Sequence, residues 1–356
     1  MKFRLRWFHV FCCVIFLSTG LTVFAGGAKD SGEEGAEQAV GTRYEWTNRH
    51  GTFVLNERIA NKVARGEQLV IVSSTIDPAA PFSQFVRLGI ERAAKEFPIS
   101  YRMVGPVDSV SEKQLAELES LIKSEQVDGL AIATWDPNTI IPIFKMAWES
   151  GIPAINYTGD SPNSPRLAFV GPSHHDIGER GAKAFMKLHP SKTGKLAIFA
   201  AFPTGVYAVE RFAGFFDTID AAGYNLTVVG PFELTLDESK GYGVVENTFL
   251  ANPDIEAVYM PDEYIVVPAE YVKRNNLKGK VTVIGVNEFP SVLNYVKEGL
   301  VQHTTGNNVM MCGYLPGKIL YEFITTGKTT EERPPLELID ITPDTVEEFM
   351  ASVGMK

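Results

Sequence analysis

From residue 68 onward the chain alternates short apolar runs with longer stretches in which apolar residues recur every three to four positions. The short runs are 69–73, 99–104, 129–133, 154–156, 167–170, 195–200, 226–230, 257–260 and 282–286. They are rich in Val, Ile and Ala and have the length of buried strands. Between them, 82–96, 111–125, 139–150, 176–188, 206–222, 239–251, 264–275, 289–298 and 310–327 carry the period of amphipathic helices. A strand apolar on both faces needs cover on both, and a helix after each strand supplies it. Nine strands are many for one sheet, so the pattern predicts α/β architecture with two doubly wound parallel-sheet domains. Ahead of the repeat, 55–65 (LNERIANKVAR) reads as a short amphipathic helix. Residues 26–42 (GGAKDSGEEGAEQAVGT), with almost nothing to bury, read as a tether.

The first 25 residues change the setting. Lys2, Arg4 and Arg6 precede an apolar run from Trp7 to Leu17, and Val23-Phe24-Ala25 supplies small residues at the −3 and −1 positions of a cleavage site after Ala25. A signal peptide over 1–25 is expected, and with it a periplasmic or cell-envelope location. The uncharged stretch Trp7–Ala25 is also long enough for an uncleaved anchor, and export follows from either reading. Cleavage removes three positive charges and no acids, taking the formal charge from −10 to −13. So acidic a chain, without a zinc-finger spacing or a basic aromatic-laced stretch, excludes nucleic acid as a partner. Cys12 and Cys13 leave with the signal peptide, so only Cys312 stays and no internal disulfide can form.

In doubly wound sheets ligands sit outside the carboxyl ends of the strands, so the strand-to-helix loops hold the candidate chemistry. Those loops read SSTIDPAAPFSQF, TWDPN, NYTGDSPN, FPTGVYAVER, PDEY, VNEFP and TTGNN. They mix carboxylates and amides with aromatics, a combination that suits a small polar ligand with apolar C–H faces, such as a sugar or nucleoside. Phe82, Phe85 and Trp135 are the expected stacking residues. Asp77, Asn156, Thr158, Asp262, Asn287 and Asn307 are the expected hydrogen-bonding groups. Asn287→Ala is expected to weaken binding with little change in the stability of the empty protein. Neither GxxxxGK[ST] nor a post-strand GxGxxG occurs, GxSxG is absent, and no cofactor or metal is called for. His175 and Glu179 could share a helix face, but Asp176 and Glu179 read better as a D-x-x-E helix start than as a metal site.

The ordered segments VIVSSTIDPAAPF, VDGLAIATWDP, GIPAINY, LAFVGPSHHDIGERGA, ERFAGFFDTIDAAG, NPDIEAVYMPDE and VTVIGVNEFPSVLNYVKEGL resemble the periplasmic binding proteins of the ribose/galactose type. The likeness covers roughly 68–343. It implies lobes joined by a three-crossover hinge, here 68–172 plus 308–336 and 173–307 plus 337–356, which close on ligand. It implies no enzymatic activity, a monomer, a carbohydrate ligand, and a partner that is the membrane permease of an ABC importer or a membrane chemoreceptor or kinase. An exported α/β hydrolase is the competing class. Arg211 of the R-x-x-G-F motif is retained and joins the expected contacts. The family's Asp-Arg pair after the strand ending at Ile155 is replaced by Thr158-Gly159, an upstream arginine by Val209, and the Asn of an Asn-Asp pair by Pro261. Amides cannot copy an arginine's charged fork. The resemblance therefore implies the fold and not a ribose receptor; a less usual polyol, a furanose-like signal molecule or a nucleoside stays open.

Overall fold

Each of the nine apolar runs forms a strand in the computed structural model, which describes residues 41–75, 77–107, 110–134, 136–235 and 237–355. The signal peptide, most of the tether and Trp135 lie outside the described residues. The first described elements are a hairpin, β1 (Glu45–Asn48) and β2 (Gly51–Val54), followed by α1 (Glu57–Ala64). Asn56 caps α1 through its side chain, which accepts from Arg58 N at 2.9 Å.

The first lobe then runs β3 (Leu69–Ser74), α2 (Pro81–Glu96), β4 (Ile99–Val104), α3 (Ser111–Lys123), β5 (Gly129–Ala133), α4 (Ile141–Glu149), β6 (Ala154–Tyr157) and β7 (Phe169–Val170). Its parallel sheet has the order β4-β3-β5-β6-β7. The chain crosses at 171–173 into the second lobe: α5 (His174–Leu188), β8 (Thr193–Ala200), α6 (Val206–Ala221), β9 (Asn225–Glu233), α7 (Glu238–Ala251) and β10 (Ala257–Met260). A single 3-10 turn (Glu263–Ile265) leads to α8 (Val266–Arg274), β11 (Thr282–Val286), α9 (Pro290–Lys297) and β12 (His303–Gly306). The second crossing leads to α10 (Val309–Thr326), which packs with the first-lobe core through Val309, Cys312, Leu320 and Phe323. The third returns to β13 (Ile339–Ile341) and α11 (Val346–Ser352).

The second sheet has the order β13-β12-β11-β10-β8-β9. In both lobes the first strand lies between the second and third, so each has a switch point, at β3/β5 and at β8/β10. Both helix pairs that flank the crossings touch backbone to backbone. A Cβ on Gly89 or Gly313 would sit within about 2 Å of the carbonyl of Met310 or Val86, and one on Gly178 or Gly214 equally close to that of Arg211 or His175. Only glycine permits such contact.

Four strands were not expected. The hairpin hides in a stretch too short for periodicity, with Gly51 at φ 114° completing its turn. β12 carries HTTG, polar residues taken for loop, yet all four are buried. β13 pairs antiparallel with β12, so the second sheet is mixed rather than wholly parallel. Among the described residues no helix is long and apolar enough to cross a membrane.

Candidate ligand cleft

At the first switch point Gln114, almost wholly buried on α3, donates through Nε2 to Ser74 Oγ (3.0 Å) and Ala133 O (2.8 Å), stitching the ends of β3 and β5. The second switch point uses a carboxylate for the same purpose. Asp262 Oδ2 accepts from Ala201 N at the end of β8 (2.9 Å) and from Tyr207 Oη (3.2 Å), and its Oδ1 accepts from Tyr264 N (3.1 Å). Burial raises its pKa to about 6, against the pull of the backbone donors, and neighbouring Glu263 adds repulsion.

Arg211 lies beside it, buried, and donates through Nη1 to Pro261 O, with its guanidinium 5.4 Å from the centre of the Tyr207 ring. Its Nε has no hydrogen-bond partner, and burial lowers its pKa. His174, at the start of α5, also has an unpartnered Nδ1. Burial first, and Arg211 second, lower its pKa to about 3, so the imidazole is neutral. Buried polar atoms without partners are uncommon, and two within electrostatic reach of each other mark a place where a further polar group belongs.

The other half of the second-lobe wall is an amide relay. Asn307 Nδ2 donates to Asn287 Oδ1 (2.7 Å), Asn287 Nδ2 donates to Glu263 Oε2 (3.0 Å), and Asn307 Oδ1 is buried with no partner. Asn287 adopts φ 96° at the end of β11, with its main chain held by Thr305 O and Thr304 Oγ1. Glu288, absent from the expected set, is what fixes the second crossing. Its carboxylate accepts from Asn307 N (2.7 Å) and Val309 N (2.6 Å), capping α10 from the opposite lobe. Negative charge at that helix start is favourable, although burial raises the Glu288 pKa. Its only sequence signal was adjacency to Asn287.

The structure thus gathers Arg211, Asp262, Asn287 and Asn307 at the carboxyl edge of the second sheet. In the first lobe, Asp77 Oδ1 accepts from Ala79 N (2.9 Å) and shapes the turn before α2, from which half-buried Phe82 projects. Thr158 has φ 52°, a strained region for a β-branched residue. Asn156 and Phe85 depart from the expectation. Asn156 is fully buried, and its carboxamide is spent on its own lobe: Nδ2 donates to Ile132 O (2.9 Å) and Oδ1 accepts from Ser161 N (2.7 Å). It braces the loop from within. Phe85 turns to Phe289 of the second lobe, ring centres 5.1 Å apart, so the two rings occupy each other. At the start of α5 the cap is Ser173, whose Oγ accepts from Asp176 N (3.2 Å), rather than Asp176 itself. His175, Asp176 and Glu179 bring donor atoms within 4.8 Å of one another on an open surface, where Glu179 already pairs with Lys183.

Two switch-point sites, facing strand ends and three crossings form one architecture, and residues 71–329 match the model of the periplasmic binding protein domain. The chain belongs to that family. Among curated proteins it is 27% identical over 236 residues to the ribose import binding protein of Bacillus subtilis, covering 66% of this chain and 75% of that one. It is 26% identical over 205 residues to the D-ribose/D-allose-binding protein of Pseudomonas aeruginosa, covering 54% and 62%. A solved solute-binding protein of Burkholderia graminis in complex with D-arabinose is similar at a TM-score of 0.69 and 25% identity, covering 78% and 96%. One from Actinobacillus succinogenes with bound D-allose reaches 0.71 at 20% identity, covering 79% and 100%, a likeness of fold alone. In this periplasmic binding protein the strand-end loops hold the candidate ligand contacts.

Proposed function

We propose that this protein captures a small neutral carbohydrate between its lobes in the cell envelope and delivers it to the permease of an ABC importer. One observation carries the reading: the relay Glu263–Asn287–Asn307 ends in a buried, unpartnered carbonyl oxygen at the edge of the second sheet. A sugar hydroxyl is a donor of the right size for that oxygen, and others would meet Arg211 Nε and Asp262. Phe82 and Trp135 would stack on the ring, and Asp77 and Thr158 would complete the first-lobe wall. The names of the curated relatives support the carbohydrate class.

The loss of two family arginines, where Gly159 and Val209 now stand, favours an uncharged ligand. Each chain carries both halves of the cleft, which supports a single chain as the binding unit. Closure is favoured only when ligand contacts both lobes. No nucleophile–base pair is part of this reading, and the bound sugar leaves unchanged. Calorimetry with a panel of monosaccharides tests it: one neutral sugar saturates at one site and is recovered intact, whereas its consumption would overturn the binding role.

A further inference from the structure

A second cavity lies where the hairpin tip meets the hinge. Its volume is about 270 Å³, and Trp46, Arg49, His50, Ser164, Arg166 and Glu332 are among its walls. That is close to the lower end of small-molecule sites. The walls come from three separate segments: the hairpin, the loop after β6, and the third crossing. The crossing is held there by Phe169 N, which donates to Glu332 O (2.8 Å), and its near end by Tyr44 Oη, which donates to Thr325 O (3.0 Å).

The charges around the cavity do not cancel. Arg166, only 3% exposed, donates through Nε to Asp160 Oδ1 (2.8 Å) and through Nη1 to Glu332 Oε1 (3.1 Å). Arg49 shares the same Glu332 oxygen at 3.3 Å and also reaches Pro162 O, while Arg333 pairs with Asp160. Among the described residues in these contacts three guanidinium groups face two carboxylates, leaving one positive charge over in a protein of net charge −10, and Lys145 adds to the positive field on His50. His50 senses that field: burial first, then Arg49 and Arg166, lower its pKa. As a neutral ring its Nε2 accepts from Arg49 Nε (3.1 Å), which puts its proton on Nδ1 as one more donor. Arg166 Nη2 lies 2.8 Å from Asp160 Oδ1 yet outside hydrogen-bond geometry, so a buried N–H is unused. Trp46, leaning on Trp148 at 5.6 Å, forms the apolar wall.

We infer that this hinge cavity is a second ligand site, separate from the cleft, for a small molecule bearing one carboxylate, of the size of a sugar acid. The carboxylate completes the charge count on Arg49 and Arg166, and Trp46 covers the apolar side of the ligand. A neutral sugar lacks the group that the surplus charge selects.

The probe is D-glucuronate, with D-glucose as its neutral match, titrated by calorimetry into wild type, Arg49→Ala and Asn287→Gly. The Arg49 side chain is 56% exposed, so its truncation spares the core, and a melting curve checks this. D-Glucuronate is expected to saturate one site in wild type and in Asn287→Gly, and to bind at least about tenfold more weakly to Arg49→Ala. No saturable D-glucuronate binding to wild type below about 10 mM would overturn the inference. So would binding that survives Arg49→Ala but is lost in Asn287→Gly, because that pattern assigns the carboxylate to the cleft.

Discussion

Asn307 donates to Asn287 across 2.7 Å, joining the second crossing of the hinge to the end of β11 through two side-chain amides. The bond orients both: Asn287 is turned to give one of its two amide N–H groups to Glu263 and keeps the other, and Asn307 is left with an open carbonyl oxygen. A wall built this way has direction before any ligand arrives, which lowers the ordering cost of binding. Replacing Asn287 should therefore weaken sugar binding by about ten- to a hundredfold, the loss of one direct bond and of the orientation of Asn307. The sequence led to the expectation that Asn287→Ala would change stability little; φ 96° alters that. Alanine is strained there and glycine is not, so Ala should be less stable than Gly by about 1 kcal/mol while both lose affinity alike. Urea unfolding paired with calorimetry checks both parts.

Glu288 makes the next prediction, one of stability. Glu288→Ala strands two buried backbone N–H groups at the start of α10 and should cost about 2–4 kcal/mol in urea unfolding. A change below about 0.5 kcal/mol would show that the cap does not hold the crossing.

Asn156 and Thr158, neighbours in sequence, should separate. Asn156→Ala leaves Ser161 N buried and unpaired, and should lose about 2–3 kcal/mol of stability with sugar affinity within about twofold of wild type. Thr158→Gly relieves a β-branched residue at φ 52° and should gain about 0.5–1 kcal/mol while sugar affinity falls. Affinity that follows Asn156 and ignores Thr158 would reverse these assignments.

Asp262 predicts a pH dependence. Its folded pKa, about 6, lies above the ordinary 3.8, so between those values the folded state holds more protons than the unfolded one. Unfolding free energy should fall as pH rises from about 4 to about 6, by about 2–3 kcal/mol from this group, and level off above. Asp262→Asn should flatten that slope in urea titrations at stepped pH.

How much of this was legible depends on the kind of signal. Strands such as 129–133 and 282–286 announce themselves because burial on both faces needs continuous apolar residues. β12 does not, because Thr304 is buried by giving its hydroxyl to Asn287 O, a partner that lies seventeen residues away. Asp262, Asn287 and Asn307 stood out as polar groups placed where strands surface. Position alone could not tell them from Asn156, which has the same location and an inward amide. Phe85 was legible as an aromatic near the cleft, but its partner Phe289 belongs to the other lobe, and only the fold brings the two rings together. Glu288 escaped because its function, capping a helix in the other lobe, is a long-range relation with no local motif.

The central claim, capture of a neutral carbohydrate at the paired strand ends, is tested most directly by mass spectrometry of whatever small molecule is released when the purified protein is denatured. The account predicts a single neutral sugar or polyol, present at one per chain, that rebinds to the stripped protein and is missing from Asn287→Gly prepared in the same way. A released nucleotide, peptide or charged acid that rebinds to the cleft, or a sugar retained equally by Asn287→Gly, would contradict it.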